Sequence, residues 1–306
     1  MVGKTKEVED IVRDYLNYLE VIQEMSKGTV KLYKINLNLF FKFIRNMDKF
    51  KDKKLAEDLI KSIELEDIYE FLKYIKDTRN NSAVSRANKI ATLRSFFKYC
   101  KDKIEIIDNN PCYKLEAPRI PKKQINYLTL EEAQKLLESV ESRNYERDFC
   151  IITIFLNCGL RLSELCNIKV DDIKEDTLVV RGKGNKDRTV YLNESCIKAL
   201  KTYKEVRKES ECTYLFLSER NKQISKGQVE NIIKKSIENA GLDSKKYTVH
   251  KLRHTAATLL HKYGDVDIRT LQKILGHKNI STTTIYTHVD DESIRKAVRL
   301  NPLNKE

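Results

Sequence analysis

Residues 108–123 read DNNPCYKLEAPRIPKK, and three of the chain's four prolines fall inside that stretch, within 11 positions of one another. The Asn110-Pro111, Ala117-Pro118 and Ile120-Pro121 steps disfavour helix, because each proline ring crowds the backbone of the residue before it. Helical periodicity stands on both sides, so the stretch reads as a connector over residues 107–126. A chain of 306 residues is long for a single hydrophobic core. Two domains are therefore expected, at 6–106 and 127–303.

Upstream of the connector the pattern is helical. VEDIVRDYLNYLEVIQ sets Val8, Ile11, Val12, Tyr15, Leu16 and Leu19 on one face. TVKLYKINLNLFFKFIRNM repeats the pattern, with Thr29 as its expected N-cap. SIELEDIYEFLKYIKD is a third helix, begun by Ser62 or by its acidic first turn. In SAVSRANKIATLRSFFKYCKDK, Ala87, Ile90, Leu93, Phe97 and Cys100 point inward, whereas Arg86, Lys89 and Thr92 share another face. Nine basic and two acidic residues lie between Lys73 and Lys103, a surplus of seven out of the net +13 of the chain. Such a face is either plainly solvated or in contact with a polyanion.

Downstream, Thr129 and Glu132 form a capping box, and a helix through RDFCIITIFLNC ends at Gly159. TLVVRGKGNKDRTVYLN, residues 177–193, is the one clear β signal, a hairpin around GKGNKD. Helices return in KGQVENIIKKSIENAG, HKLRHTAATLLHKYG and DIRTLQKILG, followed by a short turn holding Tyr286. The fold class is mainly α with a small antiparallel β-sheet. The seven cysteines include no CxxC pair and sit mainly in apolar runs, as buried free thiols of a reducing compartment do. No run of 18 uncharged apolar residues exists and the first residues lack an apolar signal core, so a cytoplasmic protein without a membrane partner is expected.

All five histidines lie between 250 and 288. His250 and His254 are spaced as a helical metal pair, but Arg253 stands between them and no carboxylate occurs from Lys251 to Gly264. A zinc site is disfavoured and no metal or cofactor is expected. An anion site suits the letters better: His250 and Arg253 share a helical face, and a guanidinium fork matches two phosphate oxygens. Arg161 follows a glycine turn in NCGLRLSEL, where backbone donors of a helix start also favour an anion. Gly276 is placed to cap a helix and turn His277 outward.

GLRLSEL, the hairpin lysine of RGKGNKDR, HKLRHTAATLL, LGH and the tyrosine of TTTIYTHV together resemble the tyrosine recombinases, the phage-integrase and Xer family, over roughly residues 125–303. SKGTVKLYKINLNLFFKFI and NPCYKLEAPRIPKK are similar to the helical core-binding domain and connector of that family. The resemblance implies an N-terminal core-binding domain and a catalytic domain forming a C-shaped clamp on double-stranded DNA. It implies Arg161, Lys183, His250, Arg253, His277 and Tyr286 as catalytic residues, with Glu164 in support and Lys186 able to stand in for Lys183. Thr29, Arg86 and Lys89 become candidate DNA contacts, while His254, His261 and His288 are read as packing or surface residues. Tyr286 would attack a phosphodiester and hold it as a 3′-phosphotyrosyl ester on the way to a Holliday junction. The arginines and histidines would neutralise charge on the non-bridging oxygens, and Lys183 would protonate the leaving 5′ oxygen.

Since about seven residues precede the first helix, the compact Xer-like form is favoured, with chromosome or plasmid dimer resolution as its task. The protein is expected to act as a homotetramer in the synapse or with a paired second recombinase. A minimal integrase or excisionase of a phage or mobile element is the alternative. From other classes come a type IB topoisomerase-like relaxing enzyme and a non-catalytic DNA-binding module. In the tail, Ile294, Ala297, Val298 and Leu300 are spaced as one helix face. That face either closes its own domain or is passed to a neighbouring subunit.

Overall fold

The computed structural model describes residues 7–53, 55–120, 126–182, 187–264 and 266–276. The chain divides into two units, Met1–Lys123 and Gln124–Glu306. Of the features expected from sequence, Lys183, Lys186, His277, Tyr286, His288 and the tail from 291 lie outside the described residues.

The first unit consists of α1 (Val8–Val21), α2 (Lys27–Arg45), α3 (Ala56–Lys61), α4 (Leu65–Asp77) and α5 (Ala83–Asp102). Its core is aromatic: Tyr15, Phe40, Phe71, Phe96 and Phe97 are fully buried. They meet edge to face, as at Phe40–Phe71 with centroids 5.1 Å apart, the geometry that ring quadrupoles favour. Local polar chemistry sets the helix starts. Ser26 caps α2 by accepting from the Thr29 N–H, so Thr29 is the third helical residue and not the N-cap. Both residues suit a cap, and Lys27-Gly28 carries no apolar mark to show that the helix has begun. Similarly, Glu64 with Asp67 opens α4, whereas Ser62 closes α3, a helix of six residues too short to show periodicity. The expected connector is partly core, since Ile107, Cys112 and Leu115 are buried with the helices of this unit.

In the second unit, α6 (Leu130–Glu138) leads to α7 (Tyr145–Cys158), followed by α8 (Leu162–Cys166). Strands β1 (Ile173–Lys174), β2 (Thr177–Arg181) and β3 (Asp187–Tyr191) come next, then α9 (Glu194–Val206), α10 (Lys226–Asn239), α11 (Val249–Tyr263) and α12 (Ile268–Leu275). Helix α7 is apolar on all sides, with Cys150, Ile151, Ile152, Ile154 and Phe155 fully buried. Such a helix belongs at the centre, and it packs between α9 and α11. The sheet is antiparallel in the order β1-β2-β3. The two-residue β1 is an addition to the expected hairpin, too short for alternation to mark it. Six of the seven cysteines are buried free thiols and Cys212 is half-buried.

Candidate active site

The site grows from two glycine caps. Gly159 ends α7 in the left-handed region, φ +58°, and a Cβ there would stand 2.9 Å from Leu275 Cδ2. Gly276 ends α12 in the same way, φ +64°. Only a residue without a side chain turns so tightly at no cost. The first turn delivers Arg161 to the start of α8.

Glu164, 2% exposed, is the centre of the cluster. Its carboxylate accepts from the Arg161 backbone N–H at 2.8 Å and from Arg161 Nη1. Helix α8 has only five residues, and this carboxylate occupies its leading donor. The expected anion seat on the backbone of that helix start is therefore filled from within. Arg188 Nη2 donates to Glu164 at 3.2 Å, and Arg253 Nη1 lies 3.8 Å from the same carboxylate oxygen.

The three arginines also share the end of α12. Arg188 Nε donates to the Ile274 carbonyl at 3.4 Å, Arg253 Nη2 to that of Leu275 at 2.7 Å, and Arg161 Nη2 to that of Gly276 at 3.1 Å. Arg253 Nη1 further donates to the Gly159 carbonyl. A helix C-terminus presents carbonyls without intrahelical partners and carries partial negative charge. Three guanidiniums from three distant segments therefore hold one carboxylate and one helix end, immediately before position 277. Their exposure differs: the Arg161 side chain is 36% exposed, that of Arg188 16% and that of Arg253 7%. Arg161 is the one that solvent, or an anion from solvent, reaches most readily.

His250 is exposed in the first turn of α11, three positions before Arg253. His254 is half-buried, and burial, reinforced by Lys251, His250 and Arg253, pushes its pKa down to about 4. It is neutral at physiological pH. His261 faces the Val266 carbonyl at 2.8 Å through Nδ1, a structural contact.

The candidate DNA contacts of the first unit are less open than the sequence suggested. Lys89 is 9% exposed, and its Nζ donates to Asn81 Oδ1 at 2.9 Å and Ser85 Oγ at 3.0 Å. Burial, followed by the charge of Arg79, holds its pKa below the usual lysine value. Thr92 is fully buried, accepting from Asn36 Nδ2 and donating to the Asn88 carbonyl. Arg86 donates to the Asn81 carbonyl at 2.6 Å and is half-buried. Thr29, also half-buried, is within 2.9 Å of the Ser26 hydroxyl. Leu93, four residues on from Lys89, is fully buried, so Lys89 lies nearer the core than the expected polar face implied.

Arg188 was absent from the residues expected in the site. A signal existed: Val190 faces the core from β3, and strand alternation places Arg188 on the same side, opposite Val180. A charge at an inward strand position requires a partner.

The phage integrase family matches residues 126–293, and the SAM-like N-terminal domain of phage integrases matches residues 12–103. A tyrosine recombinase XerC from Caldanaerobacter subterraneus subsp. tengcongensis is 49% identical, over 97% of this chain and 88% of its own. The solved structure of XerA recombinase is similar with a TM-score of 0.51 at 28% identity, over 95% of this chain and 97% of that one. XerH recombinase, bound to a palindromic difH substrate after cleavage, has a TM-score of 0.73, covering 96% of this chain and 84% of that one. At 23% identity, that likeness is one of fold. The chain belongs to the phage integrase family and is an enzyme of the tyrosine recombinase type.

Proposed function

We propose that the chain is a Xer-type site-specific recombinase that cuts and rejoins double-stranded DNA, with residues 6–106 and the packed stretch to Leu115 as core-binding domain, the rest of 107–126 as connector and 127–303 as catalytic domain. The observation that carries this reading is the convergence of Arg161, Arg253 and Glu164 beside the end of α12. Phosphoryl transfer requires cations held in place before the charge develops, and guanidiniums fixed by carbonyls meet that requirement. In the proposed reaction the Tyr286 phenolate oxygen attacks phosphorus as the bond to the 5′ oxygen breaks. The 3′ phosphate remains on the tyrosine as an ester, Lys183 gives its proton to the departing oxygen, and His250 takes the phenolic proton. Arg161 and Arg253 neutralise the non-bridging oxygens with His277 as a further donor, while Glu164 orients Arg161. Attack by a 5′ hydroxyl from a second duplex reverses the chemistry and exchanges the strands.

Similarity to XerC favours resolution of chromosome or plasmid dimers by a tetramer on two duplexes, in the cytoplasm where that DNA lies. Among the described residues no helix is long and apolar enough to cross a membrane. A nicked suicide duplex, built on the site that the protein selects from a random-sequence library, should trap a covalent adduct in the presence of EDTA. An adduct formed by Tyr286→Phe, or full inhibition by the chelator, would sink the assignment.

A further inference from the structure

Arg188 spends more on its position than a structural arginine should. It occupies an inward strand position, its Nη1 is buried with no hydrogen-bond partner among the described residues, and burial lowers its pKa from the usual arginine value. Leaving a buried donor unpaired is unfavourable, and such a group in a native site calls for an explanation. Gly276 makes the position possible: a Cβ there would stand 2.8 Å from Arg188 Cδ and 2.9 Å from its Nε. The room for this side chain is thus built by the same left-handed cap that precedes position 277.

Charge explains what the room is for. Glu164 is buried and must be paired, because an isolated carboxylate away from water is strongly disfavoured. Arg161 already donates to it through Nη1 and its backbone N–H, so a second counter-ion is needed if the charge of Arg161 is to remain available to another anion. Three guanidiniums against one carboxylate leave a surplus of two positive charges. The pentacovalent phosphorane of a phosphodiester carries two negative charges. Without Arg188 the surplus falls to one.

We propose that Arg188 is the counter-ion of Glu164, a positioning residue that leaves Arg161 and Arg253 their charge for the scissile phosphate. This inference rests on the reading of those two arginines as phosphate-binding residues. Arg188, committed to Glu164 through Nη2 and to the Ile274 carbonyl through Nε, acts through the carboxylate it neutralises.

The test is a double-mutant cycle read as the single-turnover rate of covalent adduct formation on the selected, nicked duplex. Arg188→Gln should cleave about 10²-fold more slowly, with DNA affinity unchanged. In a Glu164→Gln background, where no carboxylate needs a counter-ion, the same substitution should cost less than about threefold. A methylphosphonate at the scissile position removes one negative charge from the transition state, so the Arg188→Gln defect should shrink on that substrate. Arg188→Lys, which keeps the charge, should recover a large part of the rate. Equal losses in both backgrounds, or on both substrates, would show that Arg188 only supports the fold and would overturn the proposal. If Arg188→Gln does not fold, the Glu164→Gln/Arg188→Gln protein must fold and cleave like Glu164→Gln alone, and its failure to do so also overturns it. Failure of the underlying reading looks different: the unaltered protein would then form no adduct, or Tyr286→Phe would form one.

Discussion

Two clusters of cations, one in each unit, obey different rules. In the first unit, Arg86 and Lys89 lie three apart on α5 and donate to the neutral oxygens of Asn81 and Ser85. In the second, Arg161, Arg188 and Arg253 come from a helix start, a strand and a helix, and converge on a buried carboxylate and a helix end. The first cluster belongs to a run of charge prominent in the sequence and mostly exposed, yet Arg86 is half-buried and Lys89 nearly enclosed. The second is scattered over the chain, yet the fold assembles it. Local charge density reports what a helix face offers to water, whereas the charge of the second cluster is set by tertiary partners.

The largest effect separating the clusters should come from the second. Arg161→Ala and Arg253→Ala should each slow adduct formation by roughly 10²–10³-fold with little change in affinity, since many other phosphate contacts hold the DNA. The two should part in stability. Arg253 is buried and bridges the Gly159 and Leu275 carbonyls, so its loss leaves buried acceptors unpaired, while the more exposed Arg161 leaves fewer. Arg253→Ala should therefore also lower the Tm in a thermal melt. A pair of variants with equal melting temperatures would remove that distinction.

Gly276→Ala comes next. A left-handed residue with a Cβ costs about 1–2 kcal/mol, and here the added carbon also meets Arg188 at 2.8 Å. Adduct formation should fall with stability, whereas Gly227→Ala, in α10 with open space around its Cβ, should leave adduct formation unchanged and stability unchanged or slightly higher. Full activity in Gly276→Ala would show that the end of α12 shifts freely and that the three arginines do not fix it.

These substitutions also mark what the sequence could disclose. The end of α7 at Gly159, the capping box at Thr129 and the β2–β3 hairpin were legible because each depends on neighbours within a few positions. Helix α3 and strand β1 were too short to show a period. The first half of the proline-rich stretch read as connector because backbone restriction is local, while the burial of Ile107, Cys112 and Leu115 depends on helices elsewhere in the chain. Arg161, Arg253 and Glu164 were legible through a family resemblance, and Arg188 was passed over because its partners lie 24 and 86 positions away.

In the first cluster the effects should be smaller and should divide its two members. Lys89 is held by two neutral acceptors and is nearly enclosed, so Lys89→Met should leave the salt dependence of DNA binding unchanged. Arg86→Ala should make the slope of log K against log salt shallower by about 0.9, one phosphate contact. A loss of about two contacts in the double variant would place Lys89 on phosphate after all, and an unchanged slope would place both in solvent or structure.

The smallest effect tests whether burial lowers a pKa in the second unit as it does that of Lys89 in the first. His254 sits one position beyond Arg253, half-buried, and its pKa is pushed down to about 4, first by burial and then by Lys251, His250 and Arg253. The unfolded chain titrates near the ordinary value of about 6.5. Between these values the unfolded state binds the proton and the folded state does not, so stability is complete above pH 6.5 and declines as pH falls toward 4. His254→Gln removes the titration while keeping a polar side chain of similar reach. Melting curves at pH 7.5 and pH 5 should therefore show a smaller drop in Tm for the variant than for the unaltered protein. An identical drop would mean that His254 takes up its proton in the folded state, and that the charges around it are better screened than their burial suggests.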